Sequence, residues 1–304
     1  MVTNGWTIQR PVDKSLDVIA EEMAHLYNAV EGYDNPDFQP KDATFFEEMY
    51  ASLNLEKDLV LAWNPEGHLD GMARIYQMGA SAIGVSVNVR PSRRDEGIGS
   101  RLFDEILKEA KSRKYTKIRT VVPSYRPDSI ALAKSKGFER VDTKIRMETE
   151  ITDDLFEDKE NTRIQITEIK SENQLDIWKD LQDSIFVDSP TYEPISEDAL
   201  ATFQKKPGFI GIIAYLDNEP IGYCVGWKTN PSNFFVFGIG IVEGYHHRGY
   251  GTMLLTNALR EAKKQGMSKS NLFVEADNDQ AISFYKKRFN YKEKYRRIYF
   301  EMDN

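Results

Sequence analysis

The chain has 304 residues, about twice an ordinary domain, and its 40% hydrophobic and 12% aromatic content is enough for two conventional cores. A net charge of −8 works against nucleic acid, whose binding relies on clustered cations, and is compatible with a cationic substrate. No run of eighteen apolar residues, the length a membrane-spanning helix needs, occurs in the sequence. The opening MVTNGWTIQRPVDK has neither the basic nor the apolar segment of a secretion signal.

A single cysteine, Cys224, lies in the apolar run Ile221–Val225, so it reads as a buried strand thiol rather than a nucleophile. No internal disulfide can form, and a reducing, cytoplasmic setting is expected. Four histidines without a Cys/His cluster give no metal signature.

Taken in chain order, Leu59–Trp63, a turn at Pro65–Gly67 and Gly71–Ile75 read as a hairpin. A strand carrying Val87 and Val89 then runs into Arg94-Asp-Glu-Gly97-Ile98-Gly99-Ser100. Leu102, Ile106, Leu107 and Ala110 follow at the spacing of an amphipathic helix. Pro127 opens another helix, and Lys144–Glu148 alternates like a strand. The charged stretch Thr149–Thr162 is the linker candidate.

Beyond it the pattern recurs. Ile210–Tyr215, a turn at Asp217–Glu219 and Ile221–Val225 repeat the hairpin, and Phe234–Val242 repeats the following strand. His246 to Gly251 repeats the glycine turn, Thr252–Lys264 the helix and Arg297–Glu301 the last strand. Gly97 and Gly99 recur as Gly249 and Gly251, 152 positions on (249 − 97). The chain is therefore a duplication, each half a mixed sheet with helices on its faces, in the α/β class.

A strand, a glycine turn and a helix together make an anion site. The first helical amides have no internal partner and carry a partial positive charge, and glycine lets a phosphate approach the backbone. His246, His247 and Arg248 add donors at its rim in the second half. A Rossmann fingerprint would need a third glycine near the first strand, and a nucleoside-triphosphate loop would need a lysine. Neither is present.

These motifs resemble the GCN5-related N-acetyltransferase superfamily, whose loop reads Gln/Arg-x-x-Gly-x-Gly/Ala. Arg94–Gly99 fits it, and His246–Gly251 fits except at its first place. The second half also carries Asn278-x-x-Ala281-x-x-Phe284-Tyr285, ending in Asn290-Tyr291 where the family has Gly-Phe. The tandem layout is similar to that of mycothiol synthase, with nothing in the sequence that identifies that enzyme's acceptor.

The resemblance implies two tandem acyl-CoA N-acyltransferase domains, over 1–150 and 163–304. It implies acetyl-CoA as acetyl donor, transferred to a primary amine of a small molecule in a ternary complex. It places cofactor contacts at Val87, Val89, Arg94, Gly97, Ile98, Gly99 and Ser100 in the first copy. In the second they fall at Ile239, Gly240, Ile241, His246, His247, Arg248, Gly249, Tyr250, Gly251, Thr252 and Asn278. Tyr285 takes the role of general acid toward the leaving sulfur.

Aligning Gly137-Phe138 with Asn290-Tyr291 sets Leu132 opposite Tyr285 and Tyr125 opposite Asn278. Leucine cannot donate a proton, so the first copy is expected to be catalytically silent, either still binding coenzyme A or bracing its twin. The strand 234–242 holds no acid. Glu243, Glu275, Asp188 and Glu193 are base candidates by residue type alone, and ordered water is the alternative. Asp188–Pro194 reads as an ordered loop lining the acceptor pocket. The aromatic second half, with Trp178, Phe186, Tyr192, Trp227, Phe234, Phe235 and Phe237, favours an enclosed site for a small amine. A protein N-acetyltransferase and a non-catalytic coenzyme A sensor are the competing readings. Because two fused copies can mimic a dimer of single domains, a monomer or a homodimer is expected.

Overall fold

The computed structural model describes residues 2–3, 5–12, 15–35, 38–51, 53–79, 81–156 and 163–304. Of the linker candidate, residues 157–162 lie outside the described residues. Its earlier part forms a 3-10 turn, Asp153–Phe156, anchored by buried Leu155.

In chain order the first elements are β1 (Val2–Thr3), β2 (Trp6–Gln9), α1 (Leu16–Asp34), α2 (Ala43–Tyr50) and α3 (Leu55–Asp58). Next come β3 (Leu59–Trp63), β4 (Leu69–Gln77), β5 (Ala82–Val89), α4 (Ile98–Lys111), β6 (Lys117–Pro123), α5 (Pro127–Ser135) and β7 (Glu139–Glu150). The second copy runs β8 (Ile164–Glu168), α6 (Glu172–Phe186), α7 (Glu197–Phe203), β9 (Ile210–Leu216), β10 (Glu219–Asn230), β11 (Asn233–Ile241), α8 (Tyr250–Lys264), β12 (Lys269–Glu275), α9 (Asp279–Phe289) and β13 (Lys292–Asp303).

Two compact units result: unit 1 is Met1–Val141 with Ile298–Asn304, and unit 2 is Asp142–Arg297. The sequence halves 1–150 and 163–304 divide the chain differently at two places. From Asp142 onward β7 lies in unit 2, pairing antiparallel with β12 from Lys144↔Glu275 to Glu150↔Lys269. The end of β13 lies in unit 1 beside β6, where Glu301 binds Lys117 and Arg119, and Asn304 N–H donates to Thr116 O. Each terminal strand thus completes the sheet of the unit its own repeat does not form.

Each unit has three layers. In β3, Leu59 and Leu61 face a core with α1 and α2, while Val60 and Ala62 face a core with α4. Burial on both faces is why this strand reads as an unbroken apolar run. In unit 2, Ile212 and Ala214 of β9 pack with α8, and Ile213 packs with α6. The stripe predicted for the glycine-loop helices is buried in both: Leu102, Ile106, Leu107 and Ala110, and Leu254, Ala258, Leu259 and Ala262. Cys224 is fully buried. No helix among the described residues is long and apolar enough to cross a membrane.

The feature that prepares a site is a split in each sheet. Parallel pairing of β11 with β12 runs from Asn233↔Lys269 to Val236↔Leu272 and stops, though β11 continues to Ile241. In unit 1, β5 and β6 pair only from Ala82↔Lys117 to Gly84↔Arg119. A bulge at Phe237, between Val225↔Gly238 and Gly226↔Val236, falls where β11 leaves its neighbour, as bulges do where a strand must bend.

Candidate active site

The glycine turn of unit 2 leads from the free end of β11 into α8. Gly249 caps α8 at φ +85°, and Gly97 caps α4 at φ +84°. Two positions earlier, His247 and Asp95 are also left-handed, at φ +61° and +65°. Such alternation turns successive N–H groups toward one point, an anion nest. A Cβ at Gly97 or Gly249 would meet nothing within 4 Å. The backbone conformation excludes side chains there, and the space in front stays open.

The helix actually begins at Tyr250, two residues before the predicted start at Thr252. Tyr250 and Ile98 bury their side chains in the cores, so each has only its amide to offer a ligand. Val87 and Val89 likewise pack on the unit 1 core. Gly251 has Phe284 of α9 3.7 Å from a hypothetical Cβ, and Gly99 has Leu132 of α5 at 3.6 Å.

The two loops differ in charge. In unit 2 the tip is His246-His247-Arg248, all exposed, with His246 Nε2 2.7 Å from Ile241 O. In unit 1 the same places hold Arg94-Asp95-Glu96. Arg94 is committed to Asp34 of α1 through two contacts of 2.9 and 2.6 Å, and that carboxylate raises the guanidinium's pKa. Glu96 pairs with Arg93. The tip of the second loop carries no carboxylate, whereas the first presents Asp95 and Glu96. This contrast could have been read from the sequence at the 152 spacing.

The gaps between the split strands differ as well. In unit 1, Arg126 donates to Asn88 on the free end of β5 at 3.2 Å and to Glu31 of α1 at 2.7 Å. Its Nε lies 3.0 Å from Asp34 as an ion pair, without the alignment of a hydrogen bond. This half-buried arginine straps the gap. The positions 152 on are Gly240 and Asn278, which have no such reach. Nothing in the sequence signalled the strap, because its partners lie 38 and 95 positions from Arg126.

The helix after the gap corrects the pairing of the two copies. Phe138 N–H donates to Ala133 O, and Tyr291 N–H donates to Tyr285 O. Ile130 N–H reaches Arg126 O, as Ile282 N–H reaches Asn278 O. Ala133 is therefore the counterpart of Tyr285, and Arg126 that of Asn278; Leu132 and Tyr125 are one place off. The extra residue of the second copy lies in the last turn of α9, beyond Tyr285. Asn290 ends that turn at φ +56°, the left-handed conformation asparagine tolerates best after glycine.

Tyr285 is 7% exposed and packs against Phe284 and Tyr291. Burial pushes its phenol pKa well up, and its hydroxyl has no hydrogen-bond partner among the described residues. Asn278 is exposed and spends Oδ1 on the helix cap, accepting from Ala281 N–H at 2.9 Å.

On the opposite face of the split lie α6 and the 187–194 loop. Ser189 Oγ donates to Glu275 Oε1, Tyr192 Oη donates to Asp183, and Thr191 Oγ1 donates to Asp142 Oδ2 at 2.7 Å. The loop is therefore tied to β12, α6 and β7. Of the base candidates, Glu243 and Asp188 are exposed, whereas Glu193 and Glu275 are half-buried. Glu275 sits at the end of β12, 4.0 Å from Lys144 Nζ. Among the seven aromatics, Trp178 and Phe234 belong to the core, but Trp227, Phe235 and Phe237 keep exposed surface. Unit 1 holds an open cavity of about 610 Å³ lined by His25, His68, Arg90 and Arg93 among others. Its Asp70 is already satisfied by Asn64, Arg90 and Arg93.

Comparison with known proteins agrees with this architecture. A mycothiol acetyltransferase of Clavibacter michiganensis subsp. michiganensis is 23% identical over 221 residues, 71% of each chain. One from Corynebacterium aurimucosum is 42% identical over 63 residues, 20% of this chain and 21% of that protein. A GCN5-related N-acetyltransferase from Sphaerobacter thermophilus superposes with a TM-score of 0.83 at 16% identity, covering 100% of this chain and 97% of its own. A tandem GNAT protein from the clavulanic acid biosynthesis pathway gives 0.74 at 15% identity, covering 98% of each. The model of the acetyltransferase (GNAT) family matches residues 21–138 and again 175–291. The chain belongs to the acetyltransferase (GNAT) family, in two tandem copies, and is an N-acetyltransferase.

Proposed function

We propose that unit 2 transfers the acetyl group of acetyl-CoA to a primary amine of a small molecule, by direct attack in a ternary complex, and that unit 1 is catalytically silent. The observation that carries this reading is the unstrapped gap between β11 and β12, flanked by a carboxylate-free cradle and by Tyr285, a buried residue whose hydroxyl has no partner among the described residues. Coenzyme A brings an acetyl group on a thioester. The amides from Gly249 to Thr252, with Arg248 at the rim, are the groups to hold its diphosphate. The backbone of Ile239–Ile241, which lacks a strand partner on its β12 side, offers N–H groups to a polarised carbonyl.

Tyr285 stays protonated because burial raises its pKa, and it donates to the departing sulfur. Direct attack is favoured because the chain's only thiol, Cys224, is fully buried and burial raises its pKa too. It cannot carry the acetyl group. The tied-down 187–194 loop beside the gap favours a small acceptor over a peptide.

Tyr285→Phe tests the reading. The turnover number is expected to fall about 10²–10⁴-fold, while acetyl-CoA affinity changes less than about twofold. The deficit should shrink at high pH, where a thiolate leaves without a proton. Since the hydroxyl has no partner to lose, unfolding free energy should move by less than about 0.5 kcal/mol. Undiminished turnover would remove Tyr285 from the mechanism.

A further inference from the structure

The side of the unit 2 sheet that faces α6 carries a run of rings. Phe203 and Trp227 lie 5.0 and 5.1 Å from Phe237, ring centre to ring centre. Trp227 is 5.4 Å from Phe235, which is 6.3 Å from Phe273 on β12. None of these five rings is fully buried, and Phe237 is 36% exposed. Leaving aromatic surface in water forgoes burial energy, and the neighbouring Trp178 and Tyr223 show that this face can seal rings completely. Phe237 is also the bulge residue, so the irregularity that opens the split also holds its ring at the opening.

The run of rings ends at a carboxylate. Glu275 lies two residues beyond Phe273, on the same face of β12 and about 6.6 Å along the strand. The nearby ionic groups are Asp142, Asp183 and Glu275 with Lys144 and Lys179, and the guanidiniums of Arg146 and Arg297 lie over the Phe273 ring at 5.3 and 4.1 Å. Glu275, the last residue of β12, is the carboxylate at the end of the run. Tyr285 belongs to the α8-facing core, so Glu275 and Tyr285 flank the split from opposite faces.

We propose that the acceptor of unit 2 is a primary amine bearing a flat apolar group, the ring stacked on Phe237, Trp227 and Phe235 and the ammonium on Glu275. This rests on the acetyltransfer reading of unit 2. Glu275 takes one proton from the ammonium, freeing the lone pair that forms the new C–N bond. As the C–S bond breaks, its electron pair stays on sulfur, which takes the proton of Tyr285. The second amine proton restores Tyr285. One proton leaves to solvent through Glu275, and amide and free thiol are the products. The Ser189 hydroxyl donates to Glu275 Oε1 and fixes the carboxylate.

The test compares 2-phenylethylamine with ethanolamine on the full chain. Two measurements are made: kcat/KM for each amine, and saturation-transfer NMR of each amine with the protein held in desulfo-coenzyme A. The aromatic amine is expected to be preferred about 100-fold, with its ring protons receiving saturation from the protein. Phe237→Ala should cut the preference ratio about 10-fold, and Phe237→Leu less. Glu275→Gln should lower kcat at neutral pH, with recovery as pH approaches the pKa of the amine itself. Equal kcat/KM for the two amines, a ratio untouched by Phe237→Ala, or no transfer to the aromatic amine from a protein that binds acetyl-CoA would overturn the inference. Failure to bind acetyl-CoA at all would instead overturn the acetyltransfer reading beneath it.

Discussion

Cys224, Tyr223, Tyr285 and Tyr291 are four ionisable groups sealed in unit 2, and burial raises the pKa of each above its ordinary 9.0 or 10.0. In the folded chain they stay neutral where the unfolded chain would ionise them. The stability they contribute is complete below the unfolded values and is lost as pH rises through and beyond them. Unfolding free energy in urea should therefore be flat from pH 7 to 8. Above pH 9 to 10 it should fall by about 1.4 kcal/mol per pH unit for each group that has begun to titrate. Cys224→Ala should remove the earliest part of that fall; a profile flat to pH 11 would mean the groups reach water.

Individual side chains were legible where the backbone demanded them. Gly97 and Gly249 could be placed because a left-handed cap admits few residues, and Asn290 stands for glycine for the same reason. Tyr285 could be located by motif, but its counterpart could not. A one-residue insertion in the last turn of α9 moves the alignment only downstream of Tyr285, and a register taken from Gly137-Phe138 carried the shift one turn too far upstream.

Strands and helices with a buried stripe were found because period 2 and period 3.6 come directly from burial, though β7, β10 and β13 each run five residues further at one end than their alternation showed. β11 begins at Asn233 and ends at Ile241, against a predicted 234–242. What joins elements was invisible. The strap of unit 1 unites α1, β5 and the start of α5 through Glu31, Asp34, Asn88 and Arg126, groups with no common spacing.

Arg126 has 11% side-chain exposure, against 6% for Asp34, so its loss strands buried carboxylates rather than removing a solvated pair. Arg126→Met should lower stability by about 3 kcal/mol in urea. Turnover per folded molecule should hold, because the strap belongs to the unit proposed to be silent. A change below about 0.5 kcal/mol would mark it as an ordinary surface pair.

Duplication was plain in the chain as a whole, since four motifs recur in the same order at nearly the same spacing. The crossing of the two terminal strands was not. β7 and β13 carry the same alternation at the same place in each repeat, so either could complete either sheet. The choice is made by partners such as Glu301 with Arg119 and Thr149 Oγ1 with Phe289 O. At matching positions of the repeat, Asp95, Glu96, Asn88, Arg126 and Ala133 stand where unit 2 has His247, Arg248, Gly240, Asn278 and Tyr285.

The division of labour between the units is the central claim, and calorimetry of acetyl-CoA on the intact chain tests it most directly. Wild type, Gly97→Glu and Gly249→Glu are titrated in parallel, with circular dichroism confirming that each variant is folded. One equivalent is expected, abolished by Gly249→Glu and untouched by Gly97→Glu. Two equivalents, or a single one lost with Gly97→Glu, would contradict the account by showing that the strapped, acidic cradle of unit 1 holds the donor after all.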